Sequence, residues 1–269
     1  MLIAGIDIGS GTTKCVLVDE NRAVRGRGQV KTKADFEKVS REAMEAACAD
    51  AGAASADAVG YTATTGLGRY AVPFRDIQIT DLTCGARGAA TLFPSAGFVL
   101  DIGAQCSRAI RLRDFGKVKE FHMNEKCAAG SGGFLERAAK YLEVTVADIG
   151  PMSLGATKPQ AISSVCAVLA ESEIINHVSE GVTVENILRG IHNSLADRAL
   201  SLLKRVGLDG PVTFIGGVAR QEGMVLALRD KLGVSVNVPD GPEYTTALGA
   251  ALLGLQRHNK MATTAAAAA

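Results

Sequence analysis

The chain has no tryptophan and few other aromatics, four tyrosines and eight phenylalanines in 269 residues, as expected of the Ala-, Gly- and Val-rich layers of an α/β protein. Charge of one sign is also missing. The formal net charge of +1 gives no electrostatic case for a nucleic-acid or membrane-surface partner. No uninterrupted apolar run approaches the roughly 18 to 20 residues that span a bilayer. Met1 to Ile6 runs into Asp7 without a basic start or a cleavage site, so a cytoplasmic location and no membrane partner are expected. In that compartment the six cysteines do not read as disulfides, which leaves burial or metal binding. The four histidines, His122, His177, His192 and His258, show no zinc spacing and read as structural. Only the end lacks a folding pattern, with residues 261–269 reading as a frayed tail.

What is present is a duplication. Ile6-Asp7-Ile8-Gly9-Ser10-Gly11-Thr12-Thr13-Lys14 is echoed by Leu100-Asp101-Ile102-Gly103-Ala104-Gln105-Cys106-Ser107-Arg108. Each is an apolar strand that delivers an aspartate into a glycine turn, followed by small hydroxylated residues and a cation. Such a turn lets backbone N–H groups approach phosphate oxygens, while the aspartate holds Mg²⁺ through water and the cation meets negative charge. Two facing copies make a phosphate clamp.

Around each copy the pattern repeats. Residues 2–9, 13–19 and 23–30 read as a β-meander on the edge of a mixed sheet, followed by a helix over 35–51 and a strand over 58–64. Strands are expected again at 97–101, 107–112 and 118–122, then helices at 134–142, 167–179 and 184–206, a strand at 212–215 and a helix at 222–232. A last short strand covers 234–238 and a helix covers 244–256. The recurrence places a boundary near residues 92–97, giving halves 1–94 and 95–260 with a cleft between them. The helix of 245–258 is expected to pack back on the first half.

Two cysteines stand at helix starts. Cys127 precedes Gly130-Ser131-Gly132 and a helix, and Cys166 opens another that carries Glu171 and Glu173. Helix N-terminal dipoles favour thiolates there and compensate an anionic metal cluster. Cys15 and Cys48 read as small buried hydrophobes, while Cys84 and Cys106 fit either role.

The ordered trio of Asp7 to Lys14, Asp101 to Gln105 and Phe214-Ile215-Gly216-Gly217-Val218-Ala219 resembles the two phosphate motifs and the adenosine motif of the actin, sugar kinase and heat-shock ATPase superfamily. That resemblance implies an α/β protein with the actin-like ATPase fold, two ribonuclease H-like halves with mixed sheets around a nucleotide cleft. Within the superfamily, Lys126-Cys127-Ala128-Ala129-Gly130-Ser131-Gly132, the stretch from Ser164 to Glu173 and Gly190-Ile191-His192 resemble the ATP-hydrolysing electron activators. These are the activators of 2-hydroxyacyl-CoA dehydratases and the ATPase subunits of benzoyl-CoA reductase. Arg108-Ala109-Ile110-Arg111, the Ala247 to Gly254 helix and Arg257-His258 look more like the shorter reductase subunit. Activators commonly carry an aspartate where this chain has Cys106.

The resemblance implies ATP and Mg²⁺ as cofactors, with Asp7 and Asp101 on metal and water and Gln105 as a water orienter. It further implies that Gly9, Ser10, Gly11, Thr12, Thr13, Lys14, Gly103 and Ala104 hold phosphate, and that Gly216, Gly217, Val218 and Ala219 hold adenosine. It makes Cys127 and Cys166 ligands of a four-iron four-sulfur cluster. Two thiolates per chain fall short of four-cysteine ligation, so the cluster is shared with a second, related ATPase subunit. Ferredoxin is the implied electron donor, and substrate-reducing subunits with their own iron–sulfur clusters are the acceptors. A homodimeric dehydratase activator, a small-molecule kinase of the same fold and an actin-like assembly protein stay open as alternatives.

Overall fold

A computed structural model of the chain describes residues 1–53, 55–124, 130–164 and 166–268, the side chains of 265–268 aside. It contains two compact units. Unit 1 comprises Met1–Pro94, Arg113–Val118 and Tyr244–Ala269, and unit 2 comprises Ser95–Leu112 and Lys119–Glu243.

Unit 1 is built on strands β1 (Leu2–Ile8), β2 (Thr12–Val18), β3 (Val24–Lys31), β4 (Val59–Gly66) and β5 (Ile77–Gln78), in the order β3-β2-β1-β4-β5. β1 and β2 form an antiparallel hairpin with β3 beside it, while β4 runs parallel to β1. One sheet face is covered by α1 (Phe36–Asp50), whose Val39, Ala43, Met44 and Ala47 recur at helical spacing, the last three packing near Ala4, Ile6, Ile8 and Leu17. The other face carries α8 (Thr245–Ala268), which buries Ala247, Leu248, Ala251 and Leu255 against Ile3, Val16 and Val18. A Cβ at Gly5 would lie 2.1 Å from the Ala247 carbonyl, so the missing side chain sets how closely α8 approaches β1. Beside α8 runs α2 (Asp81–Leu92), with Thr80 as its N-cap. The helix α8 continues to Ala268 where the sequence suggests a frayed tail, because alanine is the strongest helix former.

The sheet of unit 2 follows the same plan. Its strands are β6 (Phe98–Ile102), β7 (Ser107–Arg113), β8 (Lys117–Asn124), β9 (Val212–Ile215) and β10 (Val236–Asn237), in the order β10-β9-β6-β7-β8. β6 takes the place of β1, pairing antiparallel with β7 and parallel with β9. The expected duplication is therefore present strand for strand, and the fold is the α/β, two-mixed-sheet fold that the strand pattern implies. Helices α3 (Gly132–Tyr141), α4 (Val146–Leu154), α5 (Ala167–Ser179), α6 (Val184–Arg205) and α7 (Glu222–Leu232) complete unit 2. Phe98, Leu100, Phe134, Ile149, Ile191, Leu195 and Phe214 lie together in its core.

Helix α4 goes unmarked in the sequence pattern because Gly150 and Pro151 lie inside it. Its start carries the better signal: the Asp148 carboxylate accepts from the Thr145 backbone N–H at 3.0 Å in a capping box. No helix among the described residues is long and apolar enough to cross a membrane.

Candidate functional site

In unit 1 the turn between β1 and β2 is closed by the Gly9 N–H on the Thr12 carbonyl at 3.2 Å. The residue that follows β3 braces it. Thr32 donates its hydroxyl to the Gly9 carbonyl at 2.8 Å and its N–H to the Gly11 carbonyl at 3.0 Å. Lys14 Nζ donates to the Thr12 carbonyl at 3.2 Å. An anion approaching the N–H groups of this loop meets carbonyls whose charge is already engaged. Thr13 is fully buried and shares its hydroxyl with Thr32 at 2.9 Å, while Ser10 and Gly11 form the half-exposed tip.

Asp7 and Lys14 are cross-strand partners in the hairpin, and Lys14 Nζ lies 3.8 Å from Asp7 Oδ2 with both side chains largely buried. Unit 2 repeats this. The Gly103 N–H closes the β6–β7 turn on the Cys106 carbonyl at 2.9 Å, and Asp101 pairs across the ladder with Arg108, whose Nη1 donates to Asp101 Oδ2 at 2.9 Å. Gln105 is exposed at the tip of that turn, beside half-buried Ala104. Ser107, the first residue of β7, donates its hydroxyl to the Gly130 carbonyl.

A second matched pair lies beside the turns. Gly216 follows β9 at φ +89° and ψ 173°, a region open only to glycine, and a Cβ there would sit 2.5 Å from the Ile102 carbonyl and 2.6 Å from Asp101 Oδ1. Gly66 ends β4 at φ +84°, where a Cβ would sit 2.4 Å from the Ile8 carbonyl and 2.7 Å from Asp7 Oδ1. Gly66 is thus the unit 1 counterpart of Gly216, which reading by motif missed. Its signal is topological, a glycine at the end of the strand parallel to the aspartate strand. The 3₁₀ turn Gly217–Arg220 follows Gly216. Val218 and Ala219 are buried within it, whereas a Cβ at Gly217 would meet nothing within 4 Å, so Gly217 presents open backbone.

Of the cysteines proposed to hold metal, Cys127 lies outside the described residues. Cys166 occupies the N-cap position of α5, partly exposed and without a formed capping hydrogen bond. The backbone N–H groups of Leu169 and Val168 face its sulfur and hold its pKa below the ordinary thiol value. The buried thiols behave oppositely. Desolvation pushes Cys84 up to about 12, and raises Cys15 and Cys48 as well. Cys84 is enclosed by Ala63 and Ala250 in the interior of unit 1, which settles it as a small core residue. Among the described residues no three His, Cys, Asp or Glu side chains cluster as a metal site.

The sequence model of the BadF/BadG/BcrA/BcrD ATPase family matches residues 4–254. The chain belongs to this ATPase family. A benzoyl-CoA reductase subunit of Thauera aromatica is 43% identical over 272 residues, covering 97% of this chain and 95% of its own. The activator of lactoyl-CoA dehydratase of Anaerotignum propionicum is 40% identical over 260 residues, covering 97% and 100%. Among solved structures, the activator of 2-hydroxyisocaproyl-CoA dehydratase from Clostridium difficile with bound ADPNP superposes with a TM-score of 0.93 at 36% identity, over 98% of both chains. This BadF/BadG/BcrA/BcrD member therefore has the actin-like ATPase fold and an ATP-dependent activity, as its doubled aspartate–glycine turns anticipate.

Proposed function

We propose that the chain is the ATP-hydrolysing, iron–sulfur electron-transfer subunit of a benzoyl-CoA reductase. It takes electrons from ferredoxin and drives them at low potential into separate substrate-reducing subunits. The observation that carries this reading is the coexistence of two braced aspartate–glycine turns with a thiolate-favouring cysteine at the start of α5. Nucleotide hydrolysis alone needs only the turns.

In this reading Asp7 and Asp101 are the carboxylates that would hold Mg²⁺, which would offset phosphate charge. Lys14 and Arg108 lie across the hairpins from the two carboxylates and balance the phosphates. The N–H groups of the Gly9–Thr12 and Gly103–Gln105 turns position the γ-phosphoryl group. Gln105 orients the water whose oxygen bonds to the γ-phosphorus as the bond to ADP breaks, yielding ADP and inorganic phosphate. Gly216 and Gly217 let the adenosine lie against backbone. These contributions are positional and electrostatic rather than covalent.

The residues present fit a cluster ligand. Cys166 is partly exposed and the backbone N–H groups of Leu169 and Val168 face its sulfur, which favours the thiolate that an anionic sulfur cluster requires. Cys166 and Cys127 would hold it with two thiolates from a related ATPase partner. The bound cluster supplies a one-electron relay. Aromatic reduction takes place on other chains.

A homodimeric activator of a 2-hydroxyacyl-CoA dehydratase is the second reading, favoured by the lactoyl-CoA dehydratase activator that aligns over its full length. Anaerobic co-expression separates the two. Alone, the chain should hold iron poorly, and with the related ATPase it should carry about four iron per pair. Cys166→Ser and Cys127→Ser should each abolish the cluster, and Cys48→Ser should leave it unchanged. A stable homodimer with a full cluster that activates a dehydratase would overturn the reductase reading.

A further inference from the structure

Helix α3 is attached at its two ends to different parts of unit 2. At its start, the N–H groups of Gly132 and Gly133, which a helix leaves without intrahelical partners, donate to the carbonyls of Gly103 and Ala104 at 2.9 and 2.8 Å. These two carbonyls belong to the β6–β7 turn. The fit is tight: a Cβ on Gly133 would lie 2.9 Å from the Ala104 carbonyl, and one on Gly132 would lie 3.2 Å from Val218 Cγ2. The first turn of α3 thus rests on the phosphate turn and beside the 3₁₀ turn that follows Gly216.

Further along the helix, Arg137 and Tyr141 stand one turn apart on a single face and grip one carboxylate. Arg137 Nε donates to Glu171 Oε1 at 2.5 Å, and the Tyr141 hydroxyl donates to Glu171 Oε2 at 3.2 Å. Glu171 lies in the second turn of α5, the helix that begins beside Cys166. Between these attachments Phe134, Leu135 and Ala138 are locked in the core, so α3 is a rigid strut of about 15 Å.

Helix α5 is held differently. It buries only Ala170 and Ile174, while Val168, Leu169 and Ile175 are more than half exposed. A helix with so little apolar anchorage depends on its polar ties. Among the described residues these include the Glu171 grip, the Glu173 carboxylate, which accepts from the Ser163 N–H at 2.5 Å, and a longer contact of 3.4 Å between His177 Nε2 and the Ala161 carbonyl. Helix α3 therefore bridges the turn and the helix that begins beside Cys166.

We infer that α3 couples the Gly103–Ala104 turn to α5, and that Arg137 is the positioning residue through which nucleotide at the turn reaches the Cys166 helix. The inference rests on residues 103–104 being a phosphate turn and Cys166 a cluster ligand. It adds the route between them, and Arg137 touches neither nucleotide nor metal in it.

Amide hydrogen exchange by mass spectrometry on the full chain tests it, with and without magnesium and adenylyl imidodiphosphate. In the wild type, nucleotide should change exchange in residues 98–106 and, by about fivefold or more, in residues 167–179, the low end of ordinary coupling between sites. In Arg137→Met the response at 98–106 should persist while that at 167–179 falls to about twofold or less. The charge swap Arg137→Glu with Glu171→Arg should recover most of it. Glu171→Gln carries the same comparison if Arg137→Met does not fold. A response at 167–179 as large in both single variants as in the wild type would overturn the coupling and leave the nucleotide site standing. No response anywhere in the wild type would overturn the phosphate-turn reading, and the coupling with it.

Discussion

His192 offers a quantitative test of the packing in unit 2. It is fully buried on α6, with Nδ1 3.0 Å from the Ser153 hydroxyl, which in turn donates to the Gly150 carbonyl at 2.8 Å. Because Ser153 spends its proton on Gly150, Nδ1 carries the imidazole hydrogen, and Nε2 is a bare acceptor with no hydrogen-bond partner among the described residues. Adding a proton at Nε2 places a charge in the desolvated interior. Burial, with a smaller contribution from the charge of Arg189, pushes the pKa from 6.5 down to about 3. Below pH 6.5 the unfolded chain therefore binds a proton that the folded chain refuses. The stabilisation is complete above 6.5 and is lost as pH falls toward 3, at about 1.4 kcal/mol per pH unit. Between pH 7.5 and 5.0 this amounts to about 2 kcal/mol. Urea unfolding of the wild type and of His192→Asn at both pH values isolates the difference. The variant should start less stable at pH 7.5 and lose about 2 kcal/mol less on acidification. Equal losses in the two proteins, or an imidazole resonance of His192 that titrates near 6.5, would refute the reasoning.

Asp7→Asn and Asp101→Asn should each lower ATP hydrolysis by about 10² to 10³ while nucleotide still binds, because the carboxylates act on metal and water whereas the turns hold phosphate. Phosphate release beside calorimetric binding checks this, and unchanged turnover in both variants would contradict it. Gly216→Ala should cost about 2 to 6 kcal/mol, combining a backbone conformation reserved for glycine with overlap on the Ile102 carbonyl and Asp101. Gly66→Ala should behave alike, and Gly217→Ala, which enters open space, should be nearly neutral in denaturant unfolding.

Strands and turns announced themselves because a half-buried strand alternates and a hairpin is symmetric about its loop. Asp7 and Lys14 flank the two-residue tip Ser10-Gly11 equally, as Asp101 and Arg108 flank Ala104-Gln105, so their cross-strand pairing is encoded by spacing alone. What escaped depends on distance in sequence or on conflicting local signals. Gly66 lacks the second glycine that marks Gly216-Gly217, and only the parallel pairing of β4 with β1 reveals it. Arg137 and Glu171 lie on different helices, and nothing in either segment names the other. The burial of Cys84 follows from α8 crossing α2, where a Cβ on Gly249 would strike the Cys84 carbonyl. Its local setting, a cysteine in the first turn of a helix, resembles that of Cys166.

The return of α8 to the first sheet has a consequence for biogenesis. The face of β1, β2 and β4 that bears Ile3, Val16, Val18 and Tyr61 is covered by Ala247, Leu248, Ala251, Leu252 and Leu255. On the ribosome these partners are made about 160 residues after α2, a delay of roughly 10 to 30 s at ordinary synthesis rates. All of unit 2 emerges in that interval. Unit 1 is therefore begun before unit 2 and sealed after it, and until then the nascent chain presents an apolar sheet surface of the kind that chaperones occupy.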